Sequence, residues 1–327
     1  MINRVWISWR EQKDLVRYVE RLTAFDEPTL FHMMPEMREM LRNILDQSTF
    51  SAIANFMESE DNIIRICGLP FDLSLPETPY GGYAENEDVP VACVMQIALF
   101  SVAGIMQISY NRKNKGRLFR HVVPTRASAA KVSSHGSKFT LDMHVSNPIL
   151  PITPEETNGV SASPEILSFY GLHSDPDVFT EVVELDEVLE HLTPAQIEAL
   201  QKKDYLFRMP SSFGGSEIKG PFAIIGKKDG RFYNRTDMDT VIPTSFEALQ
   251  ILNAFMQATK KVRNLHRFQL GAGGMLFFKN QRTLHARQKF EVRYNGLDRW
   301  MMRLYGTAAP ERHHLTDGQE PFVGSTY

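Results

Sequence analysis

From residue 62 onward the chain is written as short runs of β-branched and aromatic residues cut by turns, and that texture narrows the folds open to it. Strands are predicted over Asn62–Cys67, Leu118–Val123, Ser137–Ser146, Glu165–Leu172, Tyr205–Met209, Phe222–Ile225 and Arg231–Tyr233, and again over His266–Leu270, Met275–Phe278, Gln288–Arg293 and Trp300–Tyr305. Three helical stretches interrupt them: one near 88–104, one opening at the capping-box spelling Thr193-Pro194-Ala195-Gln196, and one opening at Thr244-Ser245-Phe246-Glu247 and running to about Asn264. Strand and helix do not alternate regularly, which argues against a Rossmann or TIM fold. The expectation is a mainly β protein with flanking helices: a double-sheet jelly roll, the cupin-like double-stranded β-helix, with helices packed outside. Residues 1–60 carry apolar positions at helical spacing (Leu15, Val19, Leu22; Met37, Leu41, Leu45) broken by Pro28 and Pro35. They are predicted to form a helical segment packed on the jelly roll of 61–327, in a single domain. Gly226 to Gly230 reads as a hairpin turn, and 151–164 as a long loop that is either a lid or a plain surface excursion.

Charge and cysteine content remove several functions. The net charge is −3, so no basic excess points to nucleic acid or an anionic membrane. No stretch of roughly 18 apolar residues exists to span a bilayer, and the N-terminal residues offer no signal-peptide core. The two cysteines, Cys67 and Cys93, form no C-x-x-C pair, which excludes a zinc ribbon or thioredoxin-type site. Two free thiols are expected rather than a disulfide, in a soluble cytoplasmic protein acting on a small molecule. Oligomeric state is not legible.

Two segments carry chemistry. In Phe139-Thr-Leu-Asp-Met-His144-Val-Ser146-Asn147 the residues alternate, so that Asp142, His144 and Ser146 share one face of a strand. A histidine on the polar face of a barrel strand can reach a metal, although a lone one is more often a hydrogen-bonded core residue. The second segment runs from Gly274 through His285 to Arg303. His285 is followed 14 residues later by Arg299 and 18 later by Arg303, two alternations apart on one face of a strand. A planar guanidinium grips a carboxylate in bidentate fashion, while an arginine taken alone is more often a surface ion-pair residue.

The spelling Asn280-x-Arg-x-x-His285-x-Arg-x-x-Phe290, followed by Gly296-x-Asp-Arg299-Trp-x-x-Arg303, resembles the C-terminal signature of the clavaminate synthase-like branch of the taurine dioxygenase superfamily, which includes asparagine oxygenases and arginine hydroxylases. Further matching pieces are Arg65-Ile-Cys-Gly-Leu-Pro70 with Leu75-Pro76-x-Thr78-Pro79, Gly136-Ser137, and Ser174-Asp-Pro-Asp-Val-Phe-Thr180, so the resemblance covers roughly 60–306. It implies a jelly roll carrying a two-histidine, one-carboxylate iron site that leaves positions open for 2-oxoglutarate and O₂. By position, His144 and His285 match the metal-binding histidines. Arg299, with Thr180 beside it, matches the grip on the distal carboxylate of 2-oxoglutarate. Arg303 matches the arginine for a substrate carboxylate, and Asp237 and Asp239 lie where relatives acting on basic amino acids hold the substrate amine. Ser137 and Asn147 complete the implied substrate wall.

The chain departs from the pattern at one position of consequence. Where the family has His-x-Asp/Glu, this sequence reads His144-Val145-Ser146. Asp142 is an alternative donor two residues upstream, and Gly274 and Lys279 stand where acidic residues are usual. The expected function is Fe(II)/2-oxoglutarate-dependent hydroxylation, or a related C–H oxidation, of a free amino acid or similar small metabolite in specialised metabolism. Two alternatives stay open. A halide in the position beside Ser146 makes a radical halogenase, and loss of iron chemistry makes a metal-free binding protein on the same fold.

Overall fold

The structure is a computed structural model, and it describes residues 3–209, 217–316 and 322–326. Two sheets face each other. The larger runs, in spatial order, through Asn3–Trp6, Ile63–Cys67, Met275–Lys279, Ile166–His173, Trp300–Thr307, Met106–Tyr110 and Val323–Gly324, with Arg120–Val122 also paired to the Trp300 strand. The smaller is His266–Phe268, Thr180–Glu184, Thr283–Arg287 and Leu141–His144. The jelly roll expected from the strand pattern is therefore the fold.

Alternation along the strands sorts the side chains into two cores. On the large sheet Trp300, Met302, Leu304 and Phe277 face the helices, whereas Met301, Tyr305, Leu276 and Phe278 face the small sheet. The outer layer is the helices Trp9–Val19, Met34–Ile44, Gln47–Ala54 and Pro90–Val102. Every residue of the last from Ala92 to Val102 is buried, as expected for a helix apolar on all sides and covered by others. Its ends are satisfied from far away in sequence. The Asp72 carboxylate accepts from Val91 N and Ala92 N at 2.9 and 3.3 Å, and Arg38 donates to the Ser101 and Val102 carbonyls.

Several boundaries differ from expectation. Asn3–Trp6, in the stretch read as helical, pairs in parallel with Ile63–Cys67. The helical run is interrupted near Pro28 and Pro35 as expected, each proline sitting in the first turn of a new helix, where its missing N–H is harmless. The strand expected at Gln288–Arg293 is instead Thr283–Arg287; residues 288–293 leave the sheet, with Phe290 N donating to the Ser137 carbonyl. Of Ser137–Ser146 only Leu141–His144 is strand, and Phe222–Ile225 is the joint between Ile218–Phe222 and Ile225–Lys228. Met106–Tyr110 and Thr180–Glu184 are strands that propensity did not reveal. The Phe246–Lys261 helix is capped by Ser245, whose hydroxyl accepts from Ala248 N, while Thr244 instead bonds the Asp204 carbonyl. The 226–230 turn is confirmed, with Asp229 and Gly230 both at positive φ in a two-residue hairpin. The 151–164 loop is held at its base by Arg312, which donates to the Ile152 and Glu155 carbonyls, and by Gln281, which accepts from Thr153. Both cysteines are free. Among the described residues no helix is long and apolar enough to cross a membrane.

Candidate active site

Thr283–Arg287 lies second from the edge of the small sheet and organises the site. Its His285 is directly opposite His144 on one neighbour, and on the other neighbour its Arg287 is opposite Thr180. The two imidazoles, 141 residues apart in the chain, stand with ring centroids 4.1 Å apart.

The His144 tautomer follows from its surroundings. Nδ1 lies 2.8 Å from the Asp142 carbonyl, which can only accept, so Nδ1 carries the proton and Nε2 keeps its lone pair. The Asp142 side chain itself is exposed to solvent. His285 is buried and its Nδ1 has no partner among the described residues. Burial pushes His144 down to about 4, and it pushes His285 well below the ordinary histidine value, helped by the His144 ring, Arg303 and Lys113. Both rings are neutral near pH 7, the form that ligates a metal.

From the facing large sheet, the Trp300–Thr307 strand and the residue before it bring Arg299, Arg303 and Tyr305 into the barrel. Arg299 Nη2 donates to Thr180 Oγ1 at 2.9 Å and touches Met301 Sδ at 3.3 Å. No carboxylate among the described residues is within ion-pair distance of it, although it is only 6% exposed. Burial, then Arg287 nearby, lower it to about 9, so it remains a cation at pH 7 in want of an anion. The loop that delivers Arg299 is braced by the early motif. Thr78 Oγ1 donates to the Asp298 carbonyl at 2.7 Å, and the buried Asp298 carboxylate accepts from Tyr80 OH, Arg293 N and Tyr294 N. These contacts give the Leu75-Pro76-x-Thr78-Pro79 spelling a physical role more than 200 residues from the arginine it serves.

Ser146 is buried just past the end of its strand. Asn280 clamps it by accepting from its N–H at 3.0 Å and donating to its carbonyl at 3.1 Å. Asn147 next to it adopts a left-handed backbone (φ 59°), and its Oδ1 accepts from the buried Lys113 ammonium. Burial works to raise the Tyr305 phenol, but Arg303 and Lys113 outweigh it and hold the group at about 8, with the Ser146 side chain also facing it.

A cavity of about 380 Å³ opens beside these groups, lined by His144, Ser146, Asn147, Asp237, Asp239 and Arg303 among others. Asp237 forms a backbone β-bridge with His144, and burial raises its carboxyl to about 6. Of the sequence-predicted residues, His144, Ser146, Asn147, Asp237, Asp239 and Arg303 line the cavity and His285 pairs with His144, whereas Thr180 and Arg299 bond each other outside that lining and Ser137 is buried beneath Ala129 and Phe290, with Ser133 and Ser134 in the wall instead. Lys113, Arg120, Tyr305 and the clamp role of Asn280 were not found from sequence. Tyr305 alone had a usable signal, two residues after Arg303 and hence on the same face.

These residues suit an iron and a keto acid as follows. Two neutral imidazoles offer lone pairs, one with an orphaned buried nitrogen, and a buried guanidinium beside a hydroxyl offers a carboxylate grip. Among the described residues no group of three or more His, Cys, Asp or Glu is placed to hold a metal ion.

Comparison with known proteins finds one family model, curated relatives and solved structures of the same fold. Residues 164–305 match the model of the taurine catabolism dioxygenase TauD, TfdA family. The chain is 26% identical over 257 residues to an L-lysine 3-hydroxylase of Catenulispora acidiphila, covering 76% of this chain and 68% of that one. It is 27% identical over 256 residues to an L-asparagine oxygenase of Streptomyces coelicolor, covering 75% and 71%. Among solved structures, asparagine oxygenase in complex with Fe(II), 3-hydroxyasparagine and succinate superposes with a TM-score of 0.84 at 18% identity, over 99% of both chains. The non-heme iron oxygenase OrfP with Fe, succinate and (3S)-hydroxy-L-Arg gives 0.81 at 18%, over 98% of this chain and 99% of that one.

Proposed function

We propose, from the match of residues 164–305 to the TauD, TfdA family model, that this protein is an iron- and 2-oxoglutarate-dependent oxygenase that hydroxylates an unactivated C–H position of an amino acid or a similar small metabolite. One observation supports the reading most directly. Two neutral imidazoles share one rung of the small sheet, and the strand beside it carries the hydroxyl that holds a buried cation lacking a carboxylate. The relatives with named activities are an amino-acid hydroxylase and an amino-acid oxygenase, and neither is a halogenase.

In this reading His144, through Nε2, and His285 hold the iron. Arg299 and Thr180 bind the distal carboxylate of 2-oxoglutarate. When bound, the iron and keto acid supply the oxidation of the C–H bond by O₂. The chain's residues do the rest. Arg303 takes the substrate's carboxylate, and Asp237 and Asp239, which line the same cavity, take a cationic group. Ser146, whose backbone is fixed by Asn280, and Asn147 beside it hold a neutral ligand such as water. The Phe169 and Phe278 rings, packed at 6.3 and 5.3 Å from His285, keep bulk water from its inner side.

The test is succinate release and O₂ uptake with Fe(II), 2-oxoglutarate and a panel of amino acids led by L-lysine, L-arginine and L-asparagine, with products identified by mass. Hydroxylated product, lost in His144→Ala and His285→Ala together with Fe(II) binding by titration, supports the assignment. Fe(II) affinity unchanged in both variants refutes it.

A further inference from the structure

The spelling around the second histidine contains an arginine to which the proposed function gives no task. Arg287 follows His285 by two residues on the Thr283–Arg287 strand, so both side chains leave the same face of the small sheet. The His285 ring shows which face this is, because it packs on Phe169 and Phe278 of the large sheet. Arg287 is therefore directed toward the interior, and it is only 5% exposed.

The partners of its guanidinium are neutral. Nη1 donates to the Gln288 carbonyl at 2.7 Å and Nη2 to the Phe139 carbonyl at 3.4 Å, and the Phe290 ring lies 5.0 Å away. The buried Nε has no partner among the described residues. Two other arginines of this stretch show what a structural guanidinium has here: Arg282 is held by Asp186, and Arg293 by Asp175. Among the described residues no carboxylate is within ion-pair distance of Arg287. Glu181 is opposite Ala286 and so leaves the other face of the sheet, where it accepts from Arg267 and Gln288. Directly opposite Arg287 in the ladder is Thr180, whose hydroxyl accepts from Arg299. Both arginines are thus neighbours of one hydroxyl, Arg299 through a hydrogen bond and Arg287 across the strand pair. Two charged groups act on Arg299: Arg287 lowers it and Asp175, already engaged by Arg293, raises it. Burial lowers Arg287 to about 10, so it too is a cation at neutral pH. Like charges held near one another out of water are costly, and an anion at Thr180 relieves both.

We infer that Arg287 is a positioning residue of the keto-acid subsite, a second cation that acts with Arg299 across Thr180 to favour a keto acid whose far end is an anion. This deepens the proposed function, on whose assignment of Arg299 and Thr180 it rests. The two carbonyls fix the place of the Arg287 guanidinium, and the distal carboxylate supplies the charge that those carbonyls cannot. Its action is Coulombic and passes through Arg299 and Thr180, so its loss should cost less than loss of the Arg299 grip itself.

Isothermal titration, run anaerobically with Fe(II), tests it. Two keto acids are compared: 2-oxoglutarate, and 2-oxopentanoate, in which a methyl group replaces the distal carboxylate. The parent should prefer 2-oxoglutarate. Arg287→Gln should weaken 2-oxoglutarate about tenfold and 2-oxopentanoate less than twofold, with Fe(II) affinity unchanged. Arg287→Lys, which keeps the charge, should bind 2-oxoglutarate within threefold of the parent. A merely structural arginine would move both keto acids together. Without ligand, Arg287→Gln should melt no lower than the parent, since a cation in want of an anion is dispensable to the empty protein. Equal weakening of the two keto acids, weakening of neither, no recovery in Arg287→Lys, or a Gln variant that fails to fold or melts more than about 3 °C below the parent overturns the inference and leaves the hydroxylase reading in place. A parent that binds 2-oxoglutarate no more tightly than 2-oxopentanoate lacks the Arg299 grip, and overturns both.

Discussion

Replacing Arg299 by methionine should make the protein more stable and less able to bind its keto acid. A guanidinium lowered from its usual 12.5 to about 9 carries a burial penalty on the order of 5 kcal/mol at pH 7, at about 1.4 kcal/mol per pKa unit. Part of this is offset by the bonds to Thr180 Oγ1 and Met301 Sδ, which the substitution removes. Swapping buried ionic groups for packed apolar ones commonly gains about 1–4 kcal/mol. A rise of about 2 kcal/mol is expected without ligand, which for a chain of 327 residues is a melting-temperature increase of roughly 3 °C. In the parent, 2-oxoglutarate at a hundred times its dissociation constant adds about 2.7 kcal/mol. Losing a bidentate, charge-assisted pair costs about 2–5 kcal/mol of affinity, so in the variant that gain should fall below about 1 kcal/mol at the same concentration. The assay is thermal unfolding with and without 2-oxoglutarate in the presence of Fe(II). A variant that melts lower than the parent without ligand, or still responds fully to 2-oxoglutarate, refutes the account of Arg299 as a cation awaiting a carboxylate.

Ser146→Asp restores an anion beside the imidazoles and should tighten Fe(II) binding at least tenfold in a metal titration; unchanged affinity would remove Ser146 from the metal's surroundings. Asn280→Ala deletes the clamp on the Ser146 backbone and the bond to the Pro164 carbonyl, and should destabilise by about 3 kcal/mol in denaturant unfolding. Stability should also fall on mild acidification. Burial holds His121 and His313 at about 4 and His135 at about 3, all below the 6.5 of the unfolded chain, so the unfolded state takes up protons first. Their contribution is complete above pH 6.5 and is lost as pH falls from there toward 4, by about 1 kcal/mol for each histidine between pH 7 and 5.5. Protonating His121 also removes the acceptor for Trp300 Nε1, so His121→Gln should flatten the pH dependence of the unfolding midpoint, and an unaltered slope would contradict the assignment.

Much of this site could be read from local pattern, because strand alternation is local. The shared face of Arg299 and Arg303 follows from spacing alone, and the jelly roll follows from short strands without βαβ order. What escaped depends on register between distant strands. Arg120 sits in a segment correctly expected as strand, yet nothing in Leu118–Val123 says that its partner is Arg303. Lys113 lies in Asn111-Arg112-Lys113-Asn114-Lys115-Gly116, which reads as a solvated turn, but the fold buries that one lysine against Asn147. The strand expected at Gln288–Arg293 was misplaced because β-propensity marks residues that suit a pleated surface, while ladder partners decide which of them enter it. Thr244 and Ser245 are both good caps, and the Asp204 carbonyl claims the first.

The strand Ile166–His173 lies at the middle of the large sheet, flanked by Met275–Lys279 on one side and Trp300–Thr307 on the other. Both neighbours come more than a hundred residues later, so as the chain is synthesised this apolar ribbon waits with two open edges until nearly all the rest has followed. Such long-range closure is slow, and an unpaired hydrophobic edge invites association with other nascent chains. Soluble yield should therefore respond to growth temperature and chaperone supply more than the finished protein's stability would suggest. Because Arg299 and Arg303 travel with the last of these central strands, the roles proposed for them are open only to the finished chain.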